Sequence, residues 1–184
     1  MYKIVQAPDP VLSKVAKKIA KIDDSVKKLI AEMTTTLESA RDPEGVGLAA
    51  PQIGKSLQLF VVKESPKDPV LVFINPHIDA VIDHKKSKAA KKKDGDDVKL
   101  EGCLSLSDVW GIVNRHDSVT LTYSDMTGKR CTNTFTGFLA TIIQHETDHL
   151  HGILFPKRVL EQKGILYKSK KNADGEMIFE EIAL

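Results

Sequence analysis

The chain has 184 residues, 41% of them hydrophobic and 28% charged, a composition that suits one globular domain with a full core. A net charge of only +2 argues against the strong overall field of a dedicated nucleic-acid or anionic-membrane binder. No apolar stretch approaches membrane-spanning length, and the opening residues carry neither a signal-peptide core nor an Arg/Ser-rich presequence, so a soluble cytoplasmic protein is expected.

Asp9 followed by Pro10 reads as a helix N-cap with proline in the first turn, and Val11, Leu12, Val15 and Ile19 predict a short amphipathic helix. A second helix starts at Asp24-Ser25, where Val26, Leu29, Ile30, Met33 and Leu37 recur at helical spacing until about Ala40. Residues 41–52 break that period with Asp42-Pro43 and two glycines, which predicts a loop. Residues 57–62 and 70–74 are β-rich, Asn75-Pro76 is expected to end the second run, and residues 78–82 predict another strand. Residues 84–97 turn to lysines and then aspartates. They read as a charged surface insertion, with a basic tether to an RNA-containing partner as the second reading.

Val119 to Tyr123 alternate, Asp125-Met126-Thr127-Gly128 signals a turn, and Cys131 to Phe135 continue as the hairpin partner. Leu139, Ile142, Ile143, Glu146 and Leu150 predict a buried or half-buried helix ending at Gly152, followed by a short helix and a last strand near residues 175–180. With no repeat and no linker, residues 1–184 read as a single catalytic domain.

The chemistry concentrates in Gln144-His145-Glu146-Thr147-Asp148-His149. Positions i and i+4 of a helix share a face, so His145 and His149 can bind one metal ion while Glu146 reaches a water on it. Cys103, in Glu101-Gly102-Cys103-Leu104-Ser105, is the third candidate ligand. A closed structural site that adds Cys131 is allowed by the histidine spacing, but the close Cys-x2-4-Cys pair of such sites is absent. Three protein ligands leave a fourth position for water, whose pKa the metal would lower, with Glu146 taking the proton and passing it to a leaving group. One thiolate and two imidazoles suit Fe(II), Co(II), Ni(II) or Zn(II) better than Mg(II) or Ca(II).

Together with Gly45-Val46-Gly47-Leu48-Ala49-Ala50-Pro51-Gln52, these two segments resemble the three motifs of peptide deformylase, in the family's order and spacing. The likeness extends from Pro8-Asp9-Pro10 to about Phe155. It implies an α+β fold, with a mixed, mainly antiparallel sheet around a central metal-binding helix. It also implies metal-dependent hydrolysis of the N-formyl group from the formylmethionine of newly made polypeptides, releasing formate. On the matching positions, Cys103, His145 and His149 would bind one divalent ion, Fe(II) in the cell, with Zn(II), Ni(II) or Co(II) as alternatives. Glu146 would be the acid/base, and the Gln52 amide and Leu104 N–H would stabilise the oxyanion.

Gly47 would let its backbone approach the substrate, and Val46, Phe138, Thr141 and Ile142 would line an apolar pocket for methionine. Glu101 and Arg115 would form an ion pair that steadies the cysteine loop. Asp148 would either orient an imidazole or cap nearby backbone groups. The resemblance further implies N-formylmethionyl peptides as partners and a transient association with the ribosome, without sequence-specific nucleic-acid binding. The chain departs from the family pattern at Ser107-Asp108-Val109-Trp110, at Thr141 and at Thr147. A general metallopeptidase and a non-catalytic metal-binding module are the alternatives to be separated.

Overall fold

The computed structural model describes residues 1–41, 44–83, 100–172 and 175–183, so the charged insertion read over residues 84–97 lies outside the described residues. The fold is α+β, with every strand pairing antiparallel and the strands divided between two sheets.

The first sheet, in the order β1-β2-β3-β6-β7, contains β1 (Gly47–Ala49), β2 (Leu59–Val62), β3 (Leu71–Ile82), β6 (Ser118–Ser124) and β7 (Arg130–Thr136). The second, in the order β4-β5-β8-β9, contains β4 (Glu101–Cys103), β5 (Leu106–Gly111), β8 (Leu166–Lys171) and β9 (Met177–Glu181). Among the described residues three α-helices accompany them: α1 (Asp24–Ser39), α2 (Gly137–Leu150) and α3 (Phe155–Glu161).

The run Leu59-Phe60-Val61-Val62 has no polar position because both faces of β2 are covered. Leu59 and Val61 pack with the α1 stripe of Val26, Leu29, Ile30, Met33 and Leu37, whereas Phe60 and Val62 pack with Ala140, Ile142 and Ile143 of α2. The sheet therefore lies between the two helices, and α2 is buried along most of its length. Helix α1 begins where the sequence predicts, since the Asp23 carboxylate accepts from the N–H groups of Ser25 and Val26 at 3.0 and 3.2 Å.

Four local expectations need correction. The helix expected over Val11–Ile19 is only a 3-10 turn at Pro10–Ser13. Beyond it, Ala16 donates to Leu150 O and Lys17 to Ser56 O, so partners elsewhere in the fold hold this segment out of a helix. Of the expected apolar positions Leu12 and Ile19 are buried while Val15 is exposed, and Ala16, outside the expected stripe, is buried.

Residues 41–52 are not all loop: β1 pairs with β2, and Ala50–Ile53 is a second 3-10 turn. Asn75-Pro76 does not end a strand either. Asn75 takes a left-handed φ of 49°, the ladder shifts register between Ile74 and His77, and β3 continues to Ile82. The Asn75 side chain stabilises that bulge by accepting from Ile19 N–H and donating to Ile19 O, each at 2.8 Å. Finally, β4, β5 and β8, which build the second sheet, are additions that the sequence did not predict.

Helix α2 ends at Leu150, two residues before the expected Gly152, and Gly152 follows the cap with a left-handed φ of 70°. A Cβ there would also lie 2.6 Å from the backbone of Ser13, so both conformation and contact require glycine.

Candidate active site

Two elements bring the candidate ligands together. Cys103 ends β4, and His145 and His149 lie one turn apart on the buried helix α2. The Cys103 Sγ is 3.3 Å from His149 Nε2, which is 3.2 Å from His145 Nε2. The three ligand atoms lie within 4.8 Å of one another, and this is the group among the described residues able to hold a metal ion. Cys131 is not part of it: its Sγ lies 4.0 Å from Asp125 Oδ2 in the β6–β7 hairpin.

The chemistry of this donor set fits a cation. Two imidazole nitrogens and a sulfur converge in a buried site, and a proton can lie between only one pair of them at a time. One divalent ion of borderline softness would satisfy all three lone pairs. Burial opposes a proton on His145, but the hydrogen bonds to Cys103 and Glu101 outweigh it and hold that ring's pKa well above the ordinary histidine value. Burial, and then the charge on His145, push His149 well below it.

Glu101 fixes the other side of the His145 ring, with Oε1 at 2.6 Å from Nδ1. Burial alone would raise the Glu101 pKa, but the hydrogen bonds to His145 and Arg115 bring it down to about 2. The ion pair with Arg115 is bidentate, at 3.0 and 2.7 Å. Among the described residues the Asp148 carboxylate hydrogen-bonds neither a candidate ligand nor backbone. Its carboxylate accepts from Arg115 Nη1 at 2.6 Å and from Arg158 at 2.6 and 3.1 Å.

Glu146 is fully buried beside the ligand group, and its Oε2 has no hydrogen-bond partner among the described residues. Burial pushes its carboxyl up to about 7, where it can exchange protons near neutral pH. Gly47 lies directly against it, and a Cβ at Gly47 would run into the Glu146 carboxylate. The close approach expected at this glycine thus involves the Glu146 side chain.

Gln52 sits on the second 3-10 turn, with Oε1 accepting from Ala49 N–H at 2.7 Å. That bond turns the amide nitrogen toward the site, 3.5 Å from Cys103 Sγ. Leu104 follows Cys103 in the β4–β5 turn, and its carbonyl accepts from Gln6 Nε2 at 2.9 Å. Gln6 also accepts from Ser107 Oγ at 3.1 Å, so the N-terminal segment braces the cysteine loop.

These side chains open on a cavity of about 720 Å³. Val46, Gly47, Phe138, Thr141 and Ile142 line it together with Gln52, Leu104, Cys103, His145 and Glu146. Trp110 forms part of another wall, where Nε1 donates to Ser169 Oγ of β8 at 3.0 Å and the ring meets Phe179 of β9 edge-on. The roles of Arg158 and Ser169 carry no sequence signal, because both depend on contacts with elements distant in the chain.

Thr147, on the helix between the two histidines, is buried, and its hydroxyl has no partner among the described residues. An unsatisfied buried hydroxyl costs about 1–3 kcal/mol. Thr147→Val, which keeps the shape and removes the polar atom, is expected to raise the thermal midpoint by roughly 2–4 °C. A calorimetric scan that shows a lower midpoint would contradict this reading of the site.

An α+β fold that sets a helix-borne His-Glu-x-x-His segment and a cysteine at the floor of a cavity belongs to the hydrolases. Comparison with known proteins gives the family. The sequence pattern of polypeptide deformylase matches residues 1–164. A peptide deformylase of Dehalococcoides mccartyi is 41% identical over 153 residues, covering 83% of each chain. The solved peptide deformylase of Synechococcus elongatus, in complex with actinonin, has a TM-score of 0.72 at 36% identity and covers 85% of this chain and 79% of its own. That of Thermotoga maritima has a TM-score of 0.71 at 34% identity, covering 86% and 97%. The chain belongs to the polypeptide deformylase family.

Proposed function

We propose that this protein removes the N-formyl group from the formylmethionine of newly made polypeptides, releasing formate, in a metal-dependent reaction. The observation that carries the proposal is the convergence of Cys103 Sγ with two imidazole Nε2 atoms, beside a buried carboxyl whose Oε2 has no partner among the described residues. Cys103, His145 and His149 would hold the divalent ion. When bound, it supplies an acidified water and an electrophile for the carbonyl oxygen. Fe(II) is the proposed ion in the cell, with Zn(II), Ni(II) or Co(II) able to replace it.

The remaining work falls to the protein. Glu146 accepts the proton that water gives up and returns it to the departing amine. The amide nitrogen of Gln52 and the Leu104 N–H donate to the formyl oxygen as negative charge develops there. Gln52 adds a donor without adding charge, and its bond to Ala49 N–H presets the orientation. Val46, Phe138, Thr141 and Ile142 receive the methionine side chain, Gly47 keeps room for the Glu146 carboxylate, and the Glu101–Arg115 pair steadies the cysteine strand. Cytoplasmic action on peptides leaving the ribosome, with transient ribosome association, completes the proposal. No helix among the described residues is long and apolar enough to cross a membrane.

The test is a formate-release assay on formyl-Met-Ala-Ser, set beside cleavage of internal bonds in longer peptides. Formate release without internal cleavage is expected, and the reverse would make the protein a general metallopeptidase. Gln52→Leu is expected to lower kcat by about 10²–10³-fold with metal content unchanged, as for loss of an oxyanion donor. Steady-state kinetics with an unaltered kcat would remove Gln52 from that role.

A further inference from the structure

The candidate metal centre is tied to a side chain on α3 that the proposed reaction does not use. Arg158 grips both oxygens of Asp148, with Nη2 donating to Oδ1 at 2.6 Å and Nε to Oδ2 at 3.1 Å. Asp148 Oδ2 also accepts from Arg115 Nη1 at 2.6 Å. Arg115 spends Nε and Nη2 on the Glu101 carboxylate, whose Oε1 meets His145 Nδ1 at 2.6 Å. An unbroken series of charged contacts thus runs from α3 to the ring of a candidate ligand.

The three inner members are almost fully removed from water: the side chains of Arg115, Glu101 and Asp148 are 8%, 11% and 10% exposed. Two carboxylates and two guanidiniums balance there. Without Arg158, both buried carboxylates would depend on the single guanidinium of Arg115. Asp148 would lose the fork that fixes its plane, and its pull on Arg115 would compete with that of Glu101. Glu101 would then hold the His145 ring less firmly, and ligand orientation of this kind sets metal affinity. Lysine cannot replace the fork, because it offers one point charge where the guanidinium offers paired, coplanar donors.

We infer that Arg158 is a positioning residue for the metal centre: by forking Asp148 it fixes Arg115, and through Arg115 the Glu101 carboxylate that orients His145. This rests on the reading of Cys103, His145 and His149 as metal ligands. Glu161 is the natural control, since it meets Arg158 at 3.1 Å on the exposed side and leads no further inward.

The experiment measures Co(II) affinity by competition with a chromophoric chelator, beside the thermal midpoint of each metal-free chain. It compares the parent chain with Arg158→Ala, Arg158→Lys and Glu161→Ala, and repeats Arg158→Ala in a Glu101→Gln background. Arg158→Ala is expected to weaken Co(II) binding about tenfold, the lower end of the range for outer-shell partners of ligands, and Arg158→Lys, which keeps the charge but loses the fork, about threefold. Glu161→Ala should leave affinity unchanged, and in the Glu101→Gln background Arg158→Ala should cost no more than about twofold.

Parent-like Co(II) affinity in Arg158→Ala, a lowered thermal midpoint alone, or an equal loss in both backgrounds would overturn the inference. Should Arg158→Ala not fold, Arg158→Lys decides by the same affinity criterion. If the parent chain itself takes up no Co(II), the metal-centre reading fails as well. Parent uptake with an unaffected Arg158 variant removes this inference alone.

Discussion

Glu146→Ala is expected to keep one divalent ion per chain while lowering kcat by about 10²–10⁴-fold, the usual worth of a positioned acid/base. Glu146 does not belong to the ligand group, so its loss leaves Cys103, His145 and His149 in place. Nor does the fold need it. A buried carboxyl whose Oε2 has no partner among the described residues is a cost to stability, and Glu146→Ala should melt no lower than the parent chain. Formate release, metal content and a thermal scan on one preparation check all three points. Formate release close to that of the parent would remove Glu146 from the acid/base role, and loss of the ion would make Glu146 a ligand.

Cys103→Ala is expected to abolish stoichiometric metal uptake and, with it, turnover, whereas Cys131→Ser should change neither. The two cysteines differ in place rather than chemistry: Cys103 faces two imidazole nitrogens on α2, and Cys131 lies near Asp125 on the half-exposed β6–β7 hairpin. Metal bound only by the folded state stabilises it by about 4 kcal/mol at a thousand times its Kd. A rise of roughly 10 °C in the thermal midpoint on adding metal is therefore expected for the parent chain and for Cys131→Ser, and none for Cys103→Ala. Release of metal from Cys131→Ser would instead favour a closed site of two cysteines and two histidines.

Elements stabilised by their own neighbours were legible in the sequence. Helix α1 carries its cap, Asp23, and its apolar stripe within a single stretch, and the β6–β7 hairpin carries its turn at Asp125 to Gly128. The histidine pair was equally plain, because its spacing and the helix period are local facts.

What escaped detection depends on partners far along the chain. Val11, Leu12, Val15 and Ile19 mimic a helical face, but the segment is drawn out by Leu150, Ser56 and Asn75. Leu166-Tyr167-Lys168-Ser169-Lys170-Lys171 shows no apolar alternation, since β8 is held by pairing with β5 and by the Trp110–Ser169 bond. Asn75-Pro76 has the composition of a strand end and serves here as a bulge. At the site, the link from Glu101 to His145 joins residues 44 apart, and Arg158 looks in sequence like any surface arginine with a glutamate three residues on.

X-ray absorption at the metal edge, on anaerobically purified protein carrying one ion per chain, most directly probes how that ion is held. A first shell of one sulfur and two imidazole nitrogens, completed by oxygen from solvent, is the expected outcome. A shell without sulfur, with two sulfurs, or closed by a fourth protein ligand would contradict an open hydrolytic centre built on Cys103, His145 and His149.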